Sequence, residues 1–336
     1  MKIFRYANVF LNRLEFKRRA VKLHSIPMDV QIEITTKCNL KCPMCERTYW
    51  EKDCKDMNKD MSFDVFKKVM KNFKKSYSVH LTGIGENMLN KDFVDMLRYL
   101  KKKNYFFGFT DNFTLIDEKF AKEILETGVN HIVVSFDAHN KEVYDKIRVN
   151  GNFDKFLENT TNFVKMIKEG KYKTSFTSNT VVTKYNQYKL QEIVDLIKSV
   201  GIDDMSFDVL ADFGYNSDMA PDRDKIKQMF DDLKKNNPDI ILKFGILGNT
   251  MLRDCGAPWK TVIITYDAQV LPCCFSTQRG DREKTIKIAS YGSLLNNKFV
   301  DIWNNEKYKI LRKNIKENKP YAICTNCALI CNGKQE

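Results

Sequence analysis

The chain has 336 residues, 43% of them hydrophobic, which is enough for roughly two domains with buried cores and rules out a disordered polymer. Lys and Arg total 56 against 43 Asp and Glu, and the resulting +13 favours anionic partners. These charges sit on helix faces such as Lys67, Lys68, Lys71 or Lys307, Lys309, Lys313, with no basic run interleaved with aromatics, so no nucleic-acid partner is expected.

In chain order, residues 1–29 come first. Ile3, Phe4, Val9, Phe10, Leu11 and Leu14 can share one face of a helix, with Arg5, Arg13, Lys17, Arg18, Arg19 and Lys22 supplying positive charge. Such a helix either packs across an open barrel or makes peripheral contact with an anionic membrane through residues 3–23. No apolar run reaches the roughly 18 residues of a membrane span, and the N-terminus lacks a signal-peptide pattern, so a cytoplasmic location is expected.

Residues 30–245 alternate short β-branched or aromatic runs with amphipathic stretches, the pattern of parallel strands joined by crossover helices. The predicted strands are 30–35, 79–82, 106–110, 131–136, 175–182 and 205–210. The predicted helices are 62–75, 91–103, 117–127, 153–168, 187–200 and 223–235, the first capped by Ser62 ahead of Val65, Phe66, Val69 and Met70. Six β/α units fall short of the eight that close a barrel. The fold class is therefore α/β, an open partial (β/α)6 TIM barrel with its chemistry at the C-terminal strand ends. After Asn237-Pro238 the rhythm changes to a short region around Ile240 to Phe244, a glycine-bearing loop, a hairpin at Thr261 to Thr265 and Val270-Leu271, and a helix with Phe299, Ile302 and Trp303. Residues 246–336 are predicted as a second, small hairpin-plus-helix domain.

The ten cysteines form two groups: Cys38, Cys42 and Cys45 with Cys54, then six from Cys255 to Cys331. In a reducing compartment, clustered thiols bind metal or perform redox chemistry more often than they pair. Cys38-Asn-Leu-Lys-Cys42-Pro-Met-Cys45 follows the first predicted strand. Three thiolates on one tight loop suit one face of a [4Fe-4S] cluster and leave one iron without a protein ligand. Structural zinc is the alternative; it draws a fourth ligand, for which Cys54 is the one close candidate.

This loop resembles the signature of the radical SAM superfamily, and the resemblance covers the whole predicted barrel. It implies that S-adenosylmethionine (SAM) chelates the open iron and is cleaved by one electron to methionine and a 5'-deoxyadenosyl radical, which takes hydrogen from a substrate. The metal ligands implied are Cys38, Cys42 and Cys45, with Met44 contacting the adenine through its backbone. Gly83-Ile84-Gly85-Glu86, after the second strand, looks like the motif that holds the SAM amino group, with Gly83 and Gly85 allowing close approach. Thr110 and Asn112 after the third strand, and Ser135 and Asp137 after the fourth, fall where the family places the ribose and methionine moieties. Arg148 falls where an arginine pairs with the SAM carboxylate, and Asn179 and Val182 on the fifth strand are further pocket positions. Asn87 stands where the family has proline, and Asp111-Asn112 where it has Asn-Gly; Asn112 can supply the left-handed turn.

Cys255, Cys273, Cys324 and Cys327 are spaced like the twitch or shortened SPASM extension, which implies one auxiliary [4Fe-4S] cluster; Cys274 or Cys331 can replace one of them, and Cys54 has no assigned role. Zinc again fits four thiolates on spacing alone. A cluster held by four cysteines has no vacant iron, so the resemblance implies an oxidoreductase that completes a dehydrogenation by passing an electron to it. A low-potential donor such as ferredoxin or flavodoxin is implied as partner. Only about 29 residues precede the first strand, short for a leader-binding domain, and this favours a sugar or other small-molecule substrate over a ribosomal peptide. Tyr49, Trp50, His139 and Asp208 are further candidates to face the pocket.

Overall fold

The structure is a computed structural model that describes residues 2–245, 252–274, 281–319, 321, 323–324 and 327; Cys331 and the glycine-bearing loop at 246–251 lie outside the described residues. Helix α1 (Lys2–Lys17) precedes strand β1 (Asp29–Ile32). There follow α2 (Phe63–Met70), β2 (Ser78–Leu81), α3 (Phe93–Lys102), β3 (Phe106–Asp111), α4 (Glu118–Glu126) and β4 (His131–Ser135). Next come α5 (Lys141–Ile147), α6 (Phe153–Glu169), β5 (Ser175–Val182), α7 (Leu190–Val200), β6 (Asp204–Val209), α8 (Arg223–Asn236) and β7 (Ile241–Gly245). The C-terminal part adds α9 (Ala257–Lys260), β8 (Thr261–Ile264), β9 (Val270–Leu271), α10 (Arg282–Ala289), α11 (Phe299–Trp303) and α12 (Glu306–Lys316).

Local chemistry sets these limits. Ser62 caps α2 through its side chain, and Phe66, Val69 and Met70 form its buried face. The helix predicted over 62–75 leaves α geometry at Met70 and tightens into a 3-10 turn over Lys71–Phe73. Asp117, Asn140 and Asn152 likewise cap α4, α5 and α6 with their side-chain oxygens. The sequence does not announce helix α5, because seven residues give too short a periodic signal, although Asn140 is a recognisable start. Gly201 ends α7 with φ of +92°, the left-handed cap that glycine adopts without a Cβ penalty.

The chain forms two compact units. The first comprises residues 1–37, 50–107 and 248–336. Its strands run in the order β2-β1-β8-β9, with β1 parallel to both β2 and β8, and β8 antiparallel to β9. The expected hairpin is therefore present, but β8 also pairs along its length with β1, Val30 opposite Val262. Val262, Ile263 and Ile264 are all buried, as a strand covered on both faces requires. Burying each such side chain stabilises by about 1.5–3 kcal/mol.

The second unit comprises residues 38–49 and 108–247. Its strands are parallel in the order β3-β4-β5-β6-β7. The stretch around Ile240 to Phe244, expected as a change of rhythm, is a further parallel strand: Asp204 to Asp208 pair with Ile241 to Gly245, and Phe244 stacks on Phe230 of α8 at 4.3 Å.

Helix α1 reverses the expected amphipathic logic. Its buried face is polar. Asn8 and Asn12 donate to the carbonyl of Ile26, Asn12 also to that of Trp259, and the Glu15 carboxylate accepts from the backbone of His24 and Ser25. Ile3, Phe4, Phe10 and Leu11 are exposed instead.

Candidate functional site

In the second unit, the segment after β1 bends into a compact loop that carries the first three cysteines. Cys45 N donates to Cys42 O at 3.0 Å, Thr48 Oγ1 to Cys42 O at 2.8 Å, and Lys41 N to Val149 O at 2.9 Å. The Asn112 side chain donates to Asn39 Oδ1 at 3.0 Å, and Asn39 donates to Thr114 Oγ1 at 2.7 Å, so the turn after β3 fixes the loop directly. The left-handed residue of that turn is Phe113, φ 59°, and not Asn112 as expected. Asp111 accepts from Phe113 N, and the Phe113 ring packs edge-on against Phe163 and Phe176 at 5.2 Å, contacts that offset the strained backbone.

Cys42 is buried and Cys38 and Cys45 are half-buried. Burial pushes all three thiols up, Cys45 to about 12, and the charge of neighbouring thiolates adds to this at Cys42 and Cys45. Backbone N–H groups oppose it, Leu40 at Cys38 and Arg47 at Cys45. Arg148 Nη1 lies 3.8 Å from Cys42 Sγ, and its Nε donates to Asp137 Oδ2 at 2.5 Å with Nη2 on the same oxygen. Burial works against the guanidinium's charge, but Asp137 and Cys42 outweigh it and hold Arg148 above its ordinary value. Asp137 is fully buried and also accepts from Val181 N at 2.7 Å. Asn179 accepts from Ser206 Oγ at 2.6 Å. Val182 is buried at the end of β5, whereas Met44, Thr110 and Ser135 are half-buried. Tyr49 is exposed and packs on Tyr215 at 5.1 Å, and its hydroxyl donates to Pro43 O at 2.8 Å.

In the first unit, Gly83 and Gly85 follow β2. A Cβ on Gly83 would lie 2.5 Å from Glu33 Cγ, and one on Gly85 would lie 2.3 Å from the Thr35 carbonyl oxygen and 2.7 Å from that of Lys37. Both glycines thus have a packing requirement within the protein itself. Glu86 is buried, and its backbone N donates to Lys37 O at 2.7 Å. Asn87 donates to Leu81 O at 3.1 Å, a bond to the end of β2 that proline has no donor to make.

The same unit holds a cavity lined by Cys255, Cys273, Cys274, Cys324 and Cys327 together with Ile263, Leu311 and Ile315. Cys255 precedes α9, and its carbonyl accepts from Arg19 Nη1 at 2.9 Å. Cys273 follows β9, and Cys327 N donates to Cys324 O at 3.2 Å. Burial raises the Cys273 thiol well above its ordinary value, and the four other cysteines add to this. All four cysteines expected here meet at one cavity, and Cys274 joins them as a fifth.

One buried group has little signature in the sequence. Arg282, fully buried on α10, donates to Glu33 Oε1 and Asp56 Oδ2, and Tyr266 OH donates to Asp56 Oδ1 at 2.8 Å. Glu33 Oε2 in turn accepts from Ile84 N at 3.2 Å, so this network reaches the Gly83 turn. Trp50, expected to face the pocket, is buried with Arg282 5.3 Å from its ring centre. The available signal was a charged Glu33 within the apolar run after Val30.

Residues 32–197 match the Radical SAM superfamily, and residues 255–328 match SPASM, an iron-sulfur cluster-binding domain. Over 321 residues the chain is 30% identical to the tungsten-containing aldehyde ferredoxin oxidoreductase cofactor-modifying protein of Pyrococcus furiosus, covering 89% of this chain and 86% of that protein. The chain belongs to the radical SAM superfamily. It is also 24% identical to the antilisterial bacteriocin subtilosin biosynthesis protein AlbA of Bacillus subtilis, over 90% of this chain and 68% of AlbA. The crystal structure of Streptococcus suis SuiB bound to S-adenosylmethionine superimposes with a TM-score of 0.72 at 15% identity, covering 95% of this chain and 75% of SuiB. The fold is thus the radical SAM partial TIM barrel with a C-terminal SPASM domain.

The two matched domains imply a SAM-binding [4Fe-4S] cluster, auxiliary iron-sulfur chemistry and SAM itself. The residues of this radical SAM chain fit those groups. Both donor sets are thiols, and backbone N–H groups point at the sulfurs of Cys38, Cys45 and, from Ala257, Cys255, as sulfur ligands of iron clusters accept. Among the described residues, no three His, Cys, Asp or Glu side chains converge as a single metal ion requires. No helix among the described residues is long and apolar enough to cross a membrane.

Proposed function

We propose that this chain cleaves SAM reductively and completes the oxidation of a peptide substrate through an auxiliary cluster. The observation that carries the reading is the division of cysteines into a trio on one loop and a separate set around a cavity. Bound at these places, the clusters and SAM supply one-electron cleavage to methionine and a 5'-deoxyadenosyl radical, removal of a substrate hydrogen atom, and acceptance of the remaining electron as a proton leaves. Cys38, Cys42 and Cys45 hold the first cluster. Arg148, charged and fixed by Asp137, sits against the Cys42 sulfur and limits the negative charge that builds there. Met44, Gly83, Gly85, Glu86, Thr110, Asn112, Ser135, Asp137, Arg148, Asn179 and Val182 are the proposed SAM contacts. Cys255, Cys273, Cys324 and Cys327 are the proposed auxiliary ligands, with Cys274 positioned to replace one of them.

By function, residues 30–245 are the radical core and 246–336 the auxiliary-cluster domain, preceded by residues 1–29. The electron donor is a low-potential protein of the ferredoxin or flavodoxin type, and the proposed location is the cytoplasm. A peptide substrate is supported by the likeness to AlbA over nearly the whole chain. A small-molecule or cofactor substrate is the second reading, favoured by the likeness to the Pyrococcus cofactor-modifying protein.

Anaerobic purification with iron and sulfide analysis is the first test, and about eight irons per chain is expected for two clusters. With reductant and SAM the protein should release 5'-deoxyadenosine, Cys42→Ala should release none, and Cys324→Ala should keep abortive cleavage but form no product. Near-zero iron with two zinc ions, or iron without SAM cleavage, overturns the reading. Deuterium transfer into 5'-deoxyadenosine from a labelled peptide, but not from labelled sugars or cofactors, decides the substrate class.

A further inference from the structure

The exposed face of α1 carries large apolar side chains that the fold leaves uncovered: Ile3 is 80% exposed, Phe4 66%, Tyr6 60% and Phe10 66%. Ile3, Ala7 and Phe10 recur at helical spacing, so they form one stripe and not scattered positions. The orientation is fixed from below. Arg5 Nε donates to Lys74 O at 3.2 Å, its Nη2 to Lys103 O at 3.0 Å and its Nη1 to Asn104 O, while Asn8, Asn12 and Glu15 bond the backbone around residues 24–26. Rotating the helix to bury the stripe would strand all of these polar groups.

The stripe continues beyond the helix. The Tyr6 ring meets Tyr77 at 6.1 Å, and Tyr77 stacks on Phe106 at 5.9 Å, both partly exposed. A basic rim borders it: Arg13 and Lys17 on α1 and Arg18 just after it, with Lys74, Lys75 and Lys101 to Lys103 beside the Arg5 anchor, all exposed. The one acidic residue of α1, Glu15, is buried and engaged.

We propose that this face docks the protein on an anionic lipid surface, with Ile3, Phe4 and Phe10 entering the headgroup–acyl boundary and the lysine rim meeting lipid phosphates. Apolar side chains bordered by cations match that boundary, where buried apolar area and attraction to anionic lipid act together, and tyrosines favour the interfacial depth. A second copy of the chain is the poorer occupant, because apposing two such faces sets lysines against lysines. The contact is interfacial and independent of the radical chemistry.

Flotation of the full-length holoenzyme with vesicles tests this, using phosphatidylcholine alone and phosphatidylcholine mixed with phosphatidylglycerol. The protein should float with the anionic vesicles, stay behind with the neutral ones, and detach as salt is raised. The double variant Ile3→Ser/Phe10→Ser should lose about tenfold in partitioning. Lys101→Glu/Lys102→Glu should lose about tenfold on anionic vesicles. Both pairs are exposed, so unfolding temperature and SAM cleavage should match the parent. The proposal is overturned if the parent does not float with anionic vesicles, or if both variants float equally well. It is also overturned if the parent is a dimer in solution that Ile3→Ser/Phe10→Ser converts to monomer without any vesicle binding, or if it binds only an acidic protein.

Discussion

Arg282 Nη2 lies 2.5 Å from Glu33 Oε1, across 249 residues of chain, and both side chains are almost wholly buried. The same guanidinium reaches Asp56 Oδ2 at 3.2 Å, so one cation answers two buried carboxylates. Removing the cation strands both acids. Arg282→Met is expected to destabilise the fold by about 3–5 kcal/mol, far more than a surface ion pair. Glu33→Gln should cost less, because Arg282 keeps Asp56, and the double variant should cost less than the sum of the singles, because the Arg282–Glu33 pair is lost in each of them. Urea unfolding of the four proteins measures this; strictly additive losses would show that the pair is not coupled.

Gly85 offers a sharper steric prediction. The Cβ of Gly85→Ala would meet backbone oxygens of Thr35 and Lys37, which have no rotamer to escape into. The substitution should cost about 2–4 kcal/mol or prevent folding. Gly214→Ala is the control: φ there is +86° but nothing lies within 4 Å, so the cost should be about 1 kcal/mol. If chemical unfolding gives equal losses at both positions, backbone crowding is not what fixes Gly85.

Arg148 grips Asp137 through Nε and Nη2 at once, a fork that lysine does not reproduce. Arg148→Lys should therefore lose about 1–3 kcal/mol even though the charge is kept. Because Nη1 also faces Cys42 Sγ, the variant should take up less iron on anaerobic reconstitution than the parent, while Lys146→Gln, on an exposed ion pair nearby in sequence, should take up the parental amount. Equal iron uptake by all three would mean that Arg148 stabilises the fold without supporting the cysteine loop.

The cysteine loop, the strand-helix rhythm and the hairpin were legible because each is written over a few neighbouring residues. Cys38 to Cys45 declare themselves by spacing, and Val30 or Ile132 by alternating runs. What escaped was long-range or ambiguous in sign. Nothing local to Glu33 names Arg282, and nothing in the sequence Thr261 to Ile264 says that its neighbour is β1. Helix α1 shows the second kind of loss: periodicity separates an apolar from a polar face, but which face turns inward depended on carbonyls at Ile26, Trp259, Lys74 and Asn104 awaiting donors. Nor does anything local name the partner of Arg148 as Asp137, eleven residues earlier.

Asp208 supplies the pH prediction. It lies on β6 between β5 and β7, with Oδ1 where a Cβ on Gly245 would stand, and burial pushes its carboxyl above the usual carboxylate range against an opposing hydrogen bond from Asn179. The folded state therefore holds this proton at pH values where the unfolded chain has released it. The stability linked to the group is whole below the unfolded pKa of about 3.9 and is lost as pH rises through the folded value. Asp208→Asn keeps the size and a hydrogen-bonding head but removes the titration. Its Tm should thus be close to that of the parent in acid and exceed it increasingly as pH rises toward neutrality. A Tm difference that stays flat with pH, or grows toward acid, would show that Asp208 is ionised at no cost in the fold.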